Sequence, residues 1–191
     1  MTAPLETALP YGLRDIKVTP YTDATGTVLD DADDASIDLP NARTLSFSEA
    51  EDFEELRGDD RTVTTRGKGA TVEWEIESGG ISLEAWQVMT GGEIIDSGIA
   101  GARKRVLRKR GSQARPWFRM EGQAISDSGG DIHCVLYRCR FTDNLEGELG
   151  DGEFFLTSGK GTALPMLDEA ADILYDFVQN EVATAIPTTP V

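Results

Sequence analysis

Hydrophobic and polar residues alternate along much of the chain, in short segments separated by turn-forming residues. In the clearest segment, ATVEWEIES, Val72, Trp74 and Ile76 share one parity and three glutamates share the other. Side chains on a β-strand alternate between its faces, so this segment predicts a strand with one buried and one acidic face. Clusters such as DATG, RGDD, ESGG and SDSGG recur between the segments and are typical of turns. The pattern predicts a mostly β domain of about seven or eight strands.

A second alternating segment, RTLSFSEAEDFEEL, changes character along its length. Its apolar residues Leu45 and Phe47 share one parity, and the same parity then carries Glu49, Glu51 and Glu55. The strand must therefore bend, or leave its sheet, before these glutamates. Acidic residues at alternate positions usually form a solvated face, because like charges so close together repel each other. The alternative is that the charge itself has a use.

One helix is predicted in GGISLEAWQVMTGG. Ser82 can cap its N-terminus and Gly91 can close its C-terminus. Ala85, Trp86 and Met89 form an apolar stripe between the two caps. We expect a helix over 82–90 that covers one side of a β core.

The C-terminal region fits two patterns. DEAADILYDFVQNE, residues 168–181, has the apolar spacing of a helix, which the local pattern favours slightly, but its ILYDFVQ has the composition of a strand. The last residues, about 183–191, are expected to be a mobile tail of the single domain that spans 1–191.

The segment DIHCVLYRCRF, residues 131–141, resembles half of a metal site but is better explained as a strand. Strand alternation places Cys134 and Cys139 on opposite faces, roughly 16 Å apart at about 3.3 Å per residue. A disulfide is therefore excluded. His133 is the only histidine in the chain. A structural zinc site needs about four ligands, so we expect no metal and no cofactor.

Charge is distributed unevenly over this acidic chain, whose formal net charge is −16. Twelve acids and two bases lie between Asp30 and Asp60, whereas eight bases and no acid lie between Arg103 and Arg119. The two regions could simply be solvated loops. Alternatively, the acidic region of one copy meets the basic region of the next, in a heterologous contact that generates rings or filaments. Binding to nucleic acid is disfavoured, because the chain as a whole repels phosphates.

Motifs for catalysis are lacking in the sequence. It contains no GxGxxG, P-loop or HExxH, and no nucleophile next to the single histidine. The first residues, MTAPLETALPYG, lack the features of a signal peptide, and no segment is apolar for the length of a membrane span. We therefore expect a protein that is not an enzyme and does not bind membranes. A hydrolase built on carboxylates remains a minor alternative.

Five stretches, taken together and in order, resemble the major tail tube proteins of long-tailed, non-contractile bacteriophages, particularly those of actinobacteria. These stretches cover most of the chain and are LPYGLRDIKVTPYTDATGT, LPNARTLSFSEAEDFEELRGDDRTV, VEWEIESGGISLEAWQVMTGG, RPWFRMEGQAISDSGGDIHCVLYRCRFTDNLEGELGDGEFFLTSGKG and LYDFVQNE. The resemblance implies two antiparallel sheets packed as a β-sandwich or split barrel with one flanking helix. It also favours a strand at LYDFVQNE.

The same resemblance implies a structural virion protein whose partners are mainly copies of itself. Six subunits would form a ring, and stacked rings would form the tail tube through which DNA passes without specific binding. Tape measure, terminator and baseplate proteins would contact the tube ends, and the subunits would be made in the host cytoplasm. A monomeric β-sandwich that serves as a binding or decoration module is the alternative.

Two groups of residues are candidates for roles in such a tube. A lumen that repels DNA would be lined by carboxylates, and the candidates are Glu73, Glu75, Glu77, Glu49, Glu51 and Glu55. A charged loop over residues 57–66 would reach the next ring. The candidates for contacts between subunits or rings are Arg57, Asp59, Asp60, Arg61, Arg66, Arg103, Lys104, Arg105, Arg108, Lys109 and Arg110.

Overall fold

The computed structural model of the protein describes residues 5, 7–148, 150–152, 154–167 and 172–190. Ten β-strands and one α-helix lie within these residues. In chain order they are β1 (Pro10–Pro20), β2 (Ile37–Asp38), β3 (Ala42–Gly58), β4 (Arg61–Gly79), α1 (Leu83–Thr90), β5 (Glu93–Ser97), β6 (Lys104–Arg108), β7 (Phe118–Ser126), β8 (Asp131–Glu148), β9 (Leu156–Ala163) and β10 (Tyr175–Asn180).

Eight strands form one antiparallel sheet, and β5 and β6 form a separate hairpin. The order along the sheet is β2-β1-β7-β8-β9-β4-β3, and β10 pairs with β8 in addition. The predicted mostly β, antiparallel architecture with one helix is therefore confirmed.

The sheet changes direction within β8, which has different partners along its length. Residues 131–136 lie between β7 and β10, whereas residues 139–148 pair with β9. The change occurs at Arg138, whose φ is 40°, beside a register shift against β7. Such an irregularity bends a strand and increases its twist, so β8 forms the corner of the sheet.

The far end of the sheet returns over its middle. A Cβ atom added to Gly122 of β7 would lie 2.5 Å from Cδ2 of Leu45 on β3. The rings of Phe47 on β3 and Phe177 on β10 have centroids 5.4 Å apart. Strand β3 thus packs against strands that are not its neighbours in the sheet, and the core lies between the two layers, as in a β-sandwich.

Three aromatic rings form the centre of this core. Trp74 of β4 lies 4.9 Å from Phe141 of β8 and 5.7 Å from Phe118 of β7, measured between ring centroids. Both pairs have edge-to-face geometry, which contributes about 0.5–1.5 kcal/mol per pair beyond burial. Ile16 and Met120 surround them and are fully buried. The alternation in ATVEWEIES was therefore a correct guide to the buried face of β4.

Helix α1 begins and ends as its sequence predicts. The side-chain oxygen of Ser82 accepts a hydrogen bond from the backbone N–H of Ala85 at 3.3 Å. At the other end Gly91 has a φ of 80°, which favours glycine, and donates its N–H to Gln87 at 2.8 Å. Ala85 and Met89 are the buried side chains of the helix.

The expected separation of the cysteines onto opposite faces is wrong. Cys134 and Cys139 both belong to the one hydrophobic core, and both are free thiols. The irregularity at Arg138 explains the difference, because an extra residue in a strand reverses the parity of every side chain that follows.

The structure places a strand, not a helix, in the described part of residues 168–181. Tyr175–Asn180 pairs along the first half of β8, from Tyr175 opposite Leu136 to Asn180 opposite Asp131. An available strand edge therefore outweighs the weak local preference for a helix. Residues 168–171 lie outside the described part of the chain.

The segment expected to be a mobile tail makes specific contacts. The backbone N–H of Thr184 donates to Asp131, and the carbonyl of Thr188 accepts from the N–H of Ser36 at 2.8 Å. Ile186 is only 4% exposed. We call residues 181–190 the C-terminal strap.

Candidate assembly surface

A long two-stranded ribbon leaves the body of the domain. Strands β3 and β4 pair with each other from Ala42 opposite Ser78 to Gly58 opposite Arg61. Strand β9 covers β4 only from Val72 to Gly79. Residues 50–71 therefore pair only within the hairpin, over roughly 30 Å at about 3.3 Å per residue. We call residues 50–71 the ribbon.

The tip of the ribbon is a two-residue turn between Gly58 and Arg61. Asp59 and Asp60 have φ values of 50° and 62°. Positive φ at both central positions is the type I′ turn that matches the twist of a hairpin. The expected loop over 57–66 is therefore wrong in form, because strands occupy all of it except this turn.

The ribbon exposes apolar side chains on both of its faces. Phe53, Leu56 and Val63 are each at least 60% exposed. Phe53 shares a face with Glu51 and Glu55 because all three have the same parity on β3, and Leu56 lies on the other face. A two-stranded hairpin without further partners is only marginally stable in water. Contact with another molecule would therefore stabilise the ribbon and cover its apolar side chains.

Strand β3 is also an open edge of the large sheet. Within the described residues no strand pairs with its outer side. An exposed edge strand presents a row of unpaired backbone N–H and C=O groups. At 17 residues, β3 is an unusually long one.

The first glutamate group, Glu73, Glu75 and Glu77, lies on the face of β4 that points away from the core. Glu75 pairs with Lys160 at 3.1 Å and Glu77 with Arg43 at 2.7 Å, both as surface ion pairs. Such pairs contribute about 0–1 kcal/mol. Glu73 and Glu75 help to line a shallow groove of about 410 Å³ on this face.

The second glutamate group lies on the opposite face. Glu49 shares the face of Leu45 and Phe47, since it stands opposite Val72 in the register. It accepts a hydrogen bond from the Tyr175 hydroxyl at 2.9 Å, and this bond raises the pKa of that tyrosine. Glu51 and Glu55 follow on the same face of the ribbon. The structure therefore does not bring the two glutamate groups together.

The hairpin of β5 and β6 carries the basic residues, but two of them have partners within the chain. Arg105 donates to Asp96 at 2.8 Å and also to Glu84 of α1, where it lowers the pKa of the glutamate. The amino group of Lys109 donates to the carbonyl of Thr90 at 2.6 Å, at the C-terminal end of α1. Both residues fasten the hairpin to the helix.

The remaining four bases are exposed and make no ion pair with any described residue. They are Arg103, Lys104, Arg108 and Arg110. The six expected contact residues within 103–110 thus divide into two that hold the hairpin on the helix and four that are free to contact another molecule. The ribbon has a more balanced charge, with six acids and four bases, among which Arg57 pairs with Glu55 at 2.9 Å.

A buried polar cluster was missed by the sequence interpretation. His133 Nδ1 lies 2.8 Å from Glu121, and its Nε2 lies 3.1 Å from Asp131 and 2.9 Å from the carbonyl of Thr184. Asp131, two residues before His133 on the same strand, was the only local signal, because Glu121 and Thr184 come from other parts of the chain.

The described residues offer no group of histidines, cysteines and acids that could hold a metal ion. Burial raises the pKa of the Cys134 thiol to about 12, so it is not a thiolate near neutral pH. No helix within the described residues is long and apolar enough to cross a membrane.

No model of a protein family matches the chain, and no curated protein matches it either.

Proposed function

We propose that this protein is a structural virion protein that polymerises as stacked hexameric rings into the tail tube of a long-tailed phage. The observation that carries the proposal is the ribbon, together with the open edge of β3. Neither surface is paired with another strand in the part of the chain that the structure describes. In a monomer the exposed apolar side chains of the ribbon would remain in water.

Closure of a ring would satisfy the edge of β3. If β3 of one subunit pairs with a strand of the next, the exposed N–H and C=O groups of each edge gain partners, and the ring has no free edge. A contact between different surfaces on each copy is heterologous, and such contacts close into rings when the rotation permits.

The ribbon would serve the stacking of rings. Its length of roughly 30 Å, at about 3.3 Å per residue, is enough to reach well beyond its own domain. Burying Phe53, Leu56 and Val63 against another copy would gain about 25 cal/mol for each Å² of apolar surface removed from water.

We assign the lumen to the face of Glu73, Glu75 and Glu77. The side chains of this row point away from the core, so the row can face a channel while Glu75 and Glu77 keep their surface ion pairs with Lys160 and Arg43. Carboxylates there would leave DNA, with about one charge per 1.7 Å, nothing to bind. A resolved tube in which these carboxylates lie on the outer wall would contradict the assignment.

The first experiment is negative-stain electron microscopy of the purified protein over a series of concentrations. We expect rings or tubes with a central channel. Phe53→Ser combined with Val63→Ser should abolish them without lowering the melting temperature of the subunit, because both side chains are exposed in the isolated chain. The matched control is Phe154→Ser, which alters a phenylalanine that is 95% exposed outside the ribbon.

Tubes that form equally well with the altered ribbon would contradict its role in stacking. A subunit that stays monomeric at every concentration, and also when preformed tail ends are added, would instead favour the binding or decoration module.

A further inference from the structure

The C-terminal strap crosses the face of β7 and β8 that points away from the hydrophobic core. Besides the buried Ile186 and the bond between Thr188 and Ser36, it is attached at Thr184, whose N–H donates to Asp131 at 2.9 Å and whose carbonyl accepts from the Gln123 amide at 2.9 Å. Asn180, just before the strap, donates to the other oxygen of Asp131 at 2.9 Å. Asp131 is fully buried.

His133 completes this attachment in a way that requires two protons on its ring. Its Nδ1 faces a carboxylate oxygen of Glu121, and its Nε2 faces a carboxylate oxygen of Asp131 and the carbonyl of Thr184. All three are acceptors, and a neutral imidazole has only one N–H to donate. Neutral His133 would therefore leave one ring nitrogen facing acceptors with nothing to donate.

The two carboxylates in contact with the ring, those of Glu121 and Asp131, favour its protonated form, and two cations lie beside Glu121. Glu121 is held by Arg119 at 3.0 Å, and the register places Lys17 of β1 opposite Glu121. Asp15 on β1 and Asp38 on β2 are further carboxylates on this face, and both pair with Lys17. Strand β10 contributes the neutral Asn180 and also Asp176, which accepts a hydrogen bond from the Tyr137 hydroxyl at 2.7 Å. The strap contributes backbone atoms to His133.

We propose that the C-terminal strap is locked onto the sheet around Thr184 by the proton that His133 carries and is released there when that proton is lost. The device belongs to the subunit itself and does not depend on the proposed tail tube. A neutral His133 keeps only one N–H. Either the Nε2 contact with Thr184 or the Nδ1 contact with Glu121 then lacks a donor. In addition, the buried carboxylate of Asp131 loses the positive charge that compensates it.

The direction of the pH dependence follows from the same contacts. Burial lowers the pKa of His133, but its hydrogen bonds to Glu121 and Asp131 more than offset this, so the pKa is raised above its ordinary value of about 6.5. The stabilisation is therefore fully present below about pH 6.5 and is lost as the pH rises through the raised pKa. The Asp131 carboxyl stays ionised throughout, since its pKa is lowered to about 2 by hydrogen bonds from Gln123, Asn180, Thr184 and His133 that outweigh its burial.

The test uses two measurements on the full-length chain between pH 6 and pH 9. Because His133 is the only histidine, its ring protons give a single titration in the NMR spectrum. Hydrogen exchange of the strap, corrected for intrinsic base catalysis, should lose protection with the same midpoint. We expect the protection factor of the strap to fall, in total, by about tenfold for each unit by which the pKa of His133 exceeds its ordinary value.

His133→Gln should give strap protection that does not change with pH and is no higher than that of the unaltered chain at pH 9. Glu73→Gln, which neutralises a carboxylate in the other layer, should leave the midpoint unchanged. A His133 pKa at or below 6.5, or strap protection independent of pH in the unaltered chain, would overturn the proposal. Both of these measurements stand even if the variant fails to fold.

Discussion

Gly161 shows how closely the residues of the core approach one another. It lies on β9 opposite Trp74, where a Cβ atom would stand 2.2 Å from the carbonyl oxygen of Arg140 and 2.4 Å from the indole of Trp74. The backbone carbonyl cannot move without disturbing the corner strand β8. Glycine is therefore required here by the space available, and the large indole occupies what a side chain would need.

Gly161→Ala should destabilise the subunit by about 1–3 kcal/mol, the usual cost of overpacking a core. Urea denaturation followed by tryptophan fluorescence measures this directly. Gly111→Ala is the matched control, because a Cβ atom there meets nothing within 4 Å. Equal midpoints for the two variants would show that the layers separate more easily than their packing indicates.

At the scale of elements, the sequence predicts those parts whose signals are local. The alternation in β4 and the caps of α1 are read from neighbouring residues, and both predictions are confirmed. The irregularity at Arg138 has no such signal, so the parity of Cys139 was predicted wrongly. Strand β10 depends on an edge of β8 that local sequence does not show. The candidate glutamates were found by their regular spacing along two predicted strands, but their division onto two faces follows from the register.

The cap of α1 gives a prediction for a single element. Ser82→Ala removes the acceptor for the N–H of Ala85 and should lower the free energy of unfolding by about 1 kcal/mol, whereas Ser82→Asp keeps an acceptor and should restore most of it. Thermal unfolding followed by circular dichroism provides the measurement. Ser112→Ala, in an exposed loop, serves as the control. A Ser82→Ala variant as stable as the control would mean that packing alone fixes the helix.

At the scale of the whole molecule, the net negative charge opposes the proposed assembly. Copies that each carry a net charge of −16 repel one another. The four free bases near β6 are therefore the natural place for an acidic surface of a neighbouring copy. The acidic loop before β2, with exposed Asp31 and Asp33, is one such surface.

Arg103→Glu combined with Arg108→Glu should weaken the assembly at least about tenfold, since loss of 1.4 kcal/mol at a charged contact already has that effect. Adding Asp31→Arg and Asp33→Arg to the same chain should restore part of it. Asp151→Arg, an exposed reversal elsewhere, is the control. Light scattering across a salt series measures the effect, and unchanged assembly of the first variant would remove the basic hairpin from the interface.

The pairing of β1 with β7 has a consequence for the order of events during synthesis. Strand β1 leaves the ribosome first but must wait for β7, more than half of the chain later, before its long pairing in the sheet can form. Hairpin β3–β4 needs only its own residues and can form early, and non-local pairings are the slow ones. The ribbon is thus available for contact before the domain is complete. In a cell that makes many copies at once, premature contacts between ribbons on nascent chains compete with correct folding.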